Sequence, residues 1–113
     1  MMDEKEFIAA ADIIYTAVEE NIDRLIEQQD AALDYENNSG VLNIDCEDTD
    51  SKVIISRQQA VQEIWVAAKS GGFHLSFIDN RWYCRTTDET LSQLLSRVCT
   101  EQSSQVIEFA NVG

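Results

Sequence analysis

The stretch EKEFIAAADIIYTAVEENIDRLIEQ, residues 4–28, sets the fold expected of this chain. Its apolar residues recur every three or four positions, the spacing that lines one stripe of an α-helix. They are Phe7, Ala11, Ile14, Tyr15, Val18, Ile22, Leu25 and Ile26. Asp3 can cap the first turn, where Glu4 and Glu6 oppose the positive end of the helix dipole. The pattern predicts one long N-terminal helix over these residues.

Short segments in which apolar and polar residues alternate follow the helix, and they predict about six β-strands. The predicted strands cover residues 33–36, 41–47, 52–57, 62–67, 73–77 and 81–85. Turn clusters rich in Asn, Asp, Ser and Gly separate several of them, at residues 37–40, 48–51, 71–72 and 79–80. Such short connections leave no room for crossover helices, so they favour an antiparallel sheet.

A second apolar stripe near the C-terminus predicts a helix over residues 89–102, capped by Thr87 and Asp88. Residues 106–109 either add a last short strand or pack along the first helix. The order helix, strands, helix predicts an α+β fold. We expect a two-layer α-β sandwich with an antiparallel sheet of about six strands and both helices on one face. The length of 113 residues suits a single domain, residues 1–113.

The net charge of −13 lies entirely in the first half of the chain. Residues 1–50 contain fifteen acids and two bases, whereas residues 51–113 contain six of each. A field of this sign attracts cations and basic protein surfaces and repels the phosphates of nucleic acid.

The chain shows no signal-peptide pattern and no apolar run long enough for a membrane helix. We therefore expect a soluble, cytoplasmic protein. Three cysteines, Cys46, Cys84 and Cys99, are odd in number and lack metal-site spacing, so they are interpreted as reduced packing residues.

Acidic residues repeat along one side of the predicted first helix without an interleaved lysine. Glu19, Asp23 and Glu27 stand at helical spacing, where like charges cost a few tenths of a kcal/mol each. We name the following set the acidic ridge: Glu19, Glu20, Asp23, Glu27, Asp30, Asp34 and Glu36. An ordinary solvated helix face would explain one such row, but its continuation into the first strand favours a binding role. Carboxylates suit hard cations such as iron, Mn, Ca or Mg.

Alternation in the fourth strand places Ile64 and Val66 toward the core and Trp65 on the opposite face. An exposed Trp there would mark a protein-binding hot spot, unless a further segment covers it. His74 is the only histidine, and no G-x-S-x-G elbow accompanies it, so it is interpreted as a structural or interface residue.

The chain resembles the frataxins, in particular their bacterial members. The residues that carry this resemblance are the acidic first helix, Ile-Trp-Val-Ala at 64–67 and Gly-Gly-Phe-His at 71–74. Shorter matches extend along nearly the whole chain, including Ser-Gly-Val-Leu at 39–42 and Ser-Lys-Val-Ile-Ile-Ser-Arg-Gln at 51–58. The resemblance implies an α-β sandwich and a part in iron–sulfur cluster assembly.

The resemblance also implies weak binding of several Fe2+ or Fe3+ ions at the acidic ridge. The implied partners are a cysteine desulfurase and the cluster scaffold machinery, with the protein as iron-dependent regulator, iron donor or both. The expected partner-binding residues are Trp65, His74, Asn43 and Asp45. We expect a monomer without metal, association in the presence of iron, and no enzymatic activity. A ferroxidase would need a di-iron Glu-x-x-His motif, which the sequence lacks.

Three positions depart from the family pattern. Arg24 and Ile8 stand where an acid and a histidine are expected, and Ala60 replaces a proline. The first two bear on the number and strength of metal sites, whereas Ala60 bears only on a turn. An alternative function is therefore kept: an acidic adaptor that binds a basic protein surface without metal.

Overall fold

The computed structural model describes residues 2–112 and confirms the order helix, strands, helix. Its elements are α1 (Glu4–Gln29), β1 (Leu33–Asn38), β2 (Val41–Cys46), β3 (Ser51–Gln58), β4 (Glu63–Ala68), β5 (Gly71–Ile78), β6 (Arg81–Cys84), β7 (Glu89–Thr90) and α2 (Leu91–Gln102). The strands form one sheet in sequence order, and every neighbouring pair is antiparallel. The two-layer prediction is confirmed, with a seventh, two-residue strand added.

Helix α1 begins as its sequence predicts. The Asp3 carboxylate accepts the backbone N–H of Glu6 at 2.8 Å, and the Glu6 side chain accepts the N–H of Asp3 at 3.1 Å. This reciprocal capping box satisfies two of the N–H groups that a helix start leaves unpaired. The helix ends at Asp30, whose backbone is left-handed with φ of 52°. That conformation directs the next residues away from the helix axis and into β1.

The core lies between one face of the sheet and the two helices. The α1 stripe is buried from Phe7 to Leu25, whereas Ile26 at its end is 38% exposed. The predicted stripe of α2 is buried throughout, as are the inward-facing residues of the sheet, such as Leu42 and Ile64. All three cysteines are free and buried in this layer. Among residues 2–112, no helix has the length and hydrophobicity needed to cross a membrane.

Three local predictions were wrong. Strand β1 continues through Asn38, so only Ser39 and Gly40 make the turn, both with positive φ, as in a tight hairpin. The Gly71–Gly72 pair opens β5 and is not a turn, because residues 69–70 make the connection. Helix α2 starts at Leu91 and is capped by Thr90, because the residues before it pair with β6.

The hairpin turn between β1 and β2 is fastened to α1. The Tyr15 hydroxyl donates a hydrogen bond to the Gly40 carbonyl. Burial raises the pKa of Tyr15 to about 12, so the phenol remains a donor at neutral pH. A Cβ on Gly40 would lie 2.8 Å from Arg57 Nε, and Arg57 pairs with Asp12 of α1 at 3.2 Å. These contacts hold the first hairpin close to the helix.

Residues 103–112 of the C-terminal tail form no strand and pack along both helices. Ser96 and Thr100 of α2 accept the backbone N–H groups of Phe109 and Ile107 at 2.8 and 2.9 Å. On the other side, the Asn21 amide of α1 exchanges two hydrogen bonds of 3.0 Å with the Ala110 backbone. The packing alternative of the sequence prediction therefore holds, and Asn21 joins the tail to α1.

We expect Asn21→Ala to lower the free energy of unfolding by about 1–3 kcal/mol, because it leaves the Ala110 N–H and carbonyl without their partner. Asn21 is 8% exposed, so water replaces these bonds incompletely. Urea unfolding monitored by circular dichroism measures the change. Gln28→Ala, on the exposed side of the same helix, is the control and should leave the stability nearly unchanged. Equal stability of the two variants would contradict the proposed role of Asn21.

Candidate functional site

The acidic ridge runs from α1 around the edge of the sheet. Glu19 is half-buried, and its other six members are exposed. Strand β1 is an edge strand, and its alternation turns Tyr35 toward α1 while Asp34 and Glu36 project to the opposite face. The structure therefore places helix acids on one side of β1 and strand acids on the other. The Asp30 backbone connects the two groups as the helix cap.

Tyr35 lies among the acids where α1 meets β1. Its hydroxyl donates to the Asp23 carboxylate, whose two oxygens are 3.1 and 3.2 Å away. Desolvation and the hydrogen bond to Asp23 raise the pKa of Tyr35, and the charges of Asp23, Glu19 and Asp34 add to the increase. These three carboxylates, from α1 and from β1, thus act on one phenol.

The ridge acids are neighbours but do not form a cage. Within residues 2–112, no three Asp, Glu, His or Cys side chains converge closely enough to hold one metal ion. A cation at the ridge would therefore meet one or two carboxylates and keep most of its water. Such binding is weak and decreases with ionic strength, because both the ion and the carboxylates remain hydrated.

The basic residue within the ridge segment is turned away from it. Arg24 donates to Asn21 Oδ1 at 2.7 Å and to the Glu108 carbonyl at 3.2 Å, so it belongs to the tail contact. Each ion pair found in residues 2–112 uses an acid outside the ridge. Ile8, the second departure, packs half-buried against the core and offers no ligand. The ridge therefore keeps its charge despite Arg24.

Trp65 lies on the sheet face opposite the helices and is half-buried. Its ring stacks on His74 of the neighbouring strand, with 4.2 Å between centroids and an interplanar angle of 8°. Its indole N–H donates to Glu63 Oε1 at 2.7 Å, and His74 Nδ1 lies 3.7 Å from the same oxygen. Two of the four predicted partner-binding residues, Trp65 and His74, are thus in direct contact, and Glu63 fixes the orientation of the indole.

Asn43 and Asp45 occupy the same open face between the ridge and Trp65. In the register of β1 and β2, Asn43 is opposite Glu36 and Asp45 is opposite Asp34. The like-charged pair of Asp34 and Asp45 is eased by Lys52, whose Nζ lies 3.2 Å from Asp45. The four predicted partner-binding residues therefore share one face with the strand acids of the ridge.

Sequence reasoning missed the part that two residues play in the site, Tyr35 on the helix side and Glu63 on the open face. Tyr35 stands between Asp34 and Glu36, and strand alternation alone would have turned it toward the helix acids. Glu63 stands two residues before Trp65 and therefore shares its face. The alternation of strand residues indicated the face on which each side chain lies. The hydrogen bonds of Tyr35 to Asp23 and of Trp65 to Glu63 depend on the folded structure.

We expect Asp23→Asn to lower the pKa of Tyr35, because it removes an anionic acceptor that stabilises the protonated phenol. A phenol whose folded pKa is raised stabilises the fold below its unfolded pKa, and this contribution is lost as pH rises through the folded value. The Tyr35 Cζ chemical shift, followed by carbon NMR through an alkaline titration, measures the pKa. Glu27→Gln is the matched control, because the charge of Glu27 does not contribute to the raised pKa of Tyr35. An unchanged pKa in Asp23→Asn would contradict the contact.

Comparisons with known proteins agree with this architecture. A family model described as a frataxin-like domain matches residues 1–105. The iron-sulfur cluster assembly protein CyaY of Pseudomonas syringae pv. tomato is 38% identical over 98 residues, which cover 85% of this chain and 88% of that protein. CyaY of Vibrio campbellii is 36% identical over 109 residues, covering 96% of this chain and 100% of its own length.

Solved structures show the same fold. The frataxin of Psychromonas ingrahamii superposes with a TM-score of 0.80 at 29% identity, covering 97% of this chain and 100% of its own. A trimeric yeast frataxin complexed with ferrous iron superposes with a TM-score of 0.70 at 20% identity, covering 85% of this chain and 87% of its own. The family model matches most of the chain, and the two CyaY relatives are more than 30% identical to it. The chain therefore belongs to the frataxin-like family.

Proposed function

We propose that this chain is a cytoplasmic iron-binding protein of iron–sulfur cluster assembly. In this role it binds iron weakly at the acidic ridge and acts on a cysteine desulfurase as iron-dependent regulator, iron donor or both. The observation that carries the proposal is the row of ridge carboxylates without ion-pair partners in residues 2–112. The names of the two CyaY relatives, and of the yeast frataxin complexed with ferrous iron, support it.

Weak binding fits a protein that hands iron on or senses its level. A divalent ion touching one exposed carboxylate gains about 2 kcal/mol in water, taking about 1 kcal/mol for each pair of unit charges at contact. Two carboxylates, such as Asp23 and its neighbour Glu19, would therefore hold an ion only loosely. The ridge offers several such places along α1 and β1, so several ions bind. The chain would be a monomer without metal, and ions shared between the ridges of two copies would let the copies associate.

A second candidate is an acidic adaptor that docks on a basic protein surface without metal. It is favoured by the lack of three converging ligands among residues 2–112, since docking needs charge but no coordination geometry. The open face supports either role, because Trp65 and His74 share it with the strand acids and provide a flat aromatic contact. The two candidates differ in whether iron is required for the partner to bind.

We expect neutralisation of three ridge acids, Glu19→Gln, Asp23→Asn and Glu27→Gln, to weaken Fe(II) binding by about tenfold or more, because ligands and field are lost together. Anaerobic isothermal titration measures the binding. The charge-matched control replaces three exposed acids elsewhere, Glu47→Gln, Asp50→Asn and Asp79→Asn. It should bind Fe(II) nearly as well as the unmodified chain. Equal weakening by both variants would show a general charge effect and would refute a ridge site.

We expect a chelator to reduce binding to the cysteine desulfurase, since the proposed regulator requires iron at the ridge. Surface-bound desulfurase with the chain in solution measures the affinity, with and without Fe(II). Trp65→Ala should reduce binding in both conditions because it removes the aromatic contact of the open face. Binding that ignores chelator but is lost on neutralising Asp34 and Glu36 would support the adaptor instead. If neither the chelator nor the neutralisation of Asp34 and Glu36 changed the affinity, both candidates would be refuted.

A further inference from the structure

The outer face of α1 carries an apolar hollow whose apolar residues the proposed function leaves unused, although Glu20 at its edge belongs to the acidic ridge. Ile13 is 71% exposed, the highest value among the large exposed apolar side chains of residues 2–112. Ala17 follows it by one turn, and the two line a shallow hollow with Thr16, Asp12 and Glu20. Ala17 is half-buried and packs against the edge of the core, whereas Ile13 points away from the buried stripe. The core therefore gives no reason for an isoleucine at position 13.

Helix stability gives no reason for it either. Isoleucine is a weaker helix former than alanine or the charged residues that are usual on a solvated face, because its branched side chain loses rotamer freedom. An exposed isoleucine also keeps apolar surface in water. A single exposed apolar residue is ordinary, but Ile13 and Ala17 form a hollow with a charged rim, as at the centre of a binding site.

The rim of this hollow is negative. The Glu20 carboxylate forms no ion pair within residues 2–112. The Asp12 side chain stays 64% exposed although Arg57 pairs with it at 3.2 Å. The nearby base Arg24 is held by Asn21 and the tail. An incoming group therefore meets an apolar centre flanked by carboxylates that no base covers completely.

We propose that Ile13 and Ala17 are the apolar anchor point for a protein segment that presents a leucine-like side chain flanked by lysine or arginine. The apolar side chain fills the hollow, while the bases pair with Glu20 and the exposed part of Asp12. Acidic segments are repelled by this rim. The site lies on the helix side of the molecule, opposite Trp65, and requires neither iron nor the desulfurase.

The test uses the full chain, labelled for amide NMR, and a synthetic amphipathic helix of Leu and Lys as the probe. We expect shifts centred on residues 9–20. Ile13→Ser should weaken binding by about tenfold, the scale for burial of one aliphatic side chain. Val106→Ser removes another apolar side chain, 68% exposed and distant in sequence, and should leave the affinity unchanged. Both variants should keep the unfolding midpoint, because both residues are exposed.

Other outcomes would overturn the proposal. If the chain bound a helix of Ser and Lys with the same charge equally well, or if the shifts were centred on the ridge residues 23–36, binding would be by charge alone at the ridge. Self-association of the free chain that Ile13→Ser abolishes would make a second copy the occupant. Fe(II) titration of Ile13→Ser keeps the two proposals separate, since iron binding at the ridge should be unchanged. A negative result for peptide binding at Ile13 therefore leaves the proposed iron binding at the ridge untouched. A negative result for iron binding likewise leaves the proposed anchor point untouched.

Discussion

Burial of one stripe of α1 against the sheet is the constraint on which the rest of the structure depends. It takes the apolar residues from Phe7 to Leu25 out of water and leaves the remaining circumference of the helix for charge. Because Tyr15 fastens the hairpin of β1 and β2 to α1, the charged side of the helix comes to lie beside the edge strand. The position of the acidic ridge is therefore a consequence of core packing.

The distribution of bases determines how much of the acidic charge remains available. Arg97 contacts Glu89 with two hydrogen bonds of 2.8 and 2.9 Å, and Lys52 and Arg57 pair with Asp45 and Asp12. These pairs join β7 to α2, β2 to β3 and α1 to β3, so the bases serve the fold. The ridge acids obtain no such partners in the described chain. Their repulsion costs stability, which the buried layer must offset.

Much of the fold followed from the sequence, because apolar spacing reports directly which face of each element is buried. The first helix, six strands and the stripe of α2 were predicted for this reason. The start of α2 was not, because Thr87, Asp88 and Thr90 all suit a helix cap. The choice depends on Glu89, which pairs with Arg97 and with β6, and apolar spacing does not report such polar contacts. The spacing of the acids along the sequence led to the prediction of the ridge, but the contact of Tyr35 with Asp23 required the placement of β1 on α1.

The edge position of β1 has a consequence for solubility. An edge strand presents unpaired backbone groups that invite another strand, and proteins commonly protect such edges with charges. At the opposite end of the sheet, β7 has only two residues and offers little template. Strand β1 has six residues; Asp34 and Glu36 project from its open face, and the acids of α1 lie along its other face. The strand acids of the ridge therefore place charge where it disfavours pairing of the open edge with another strand.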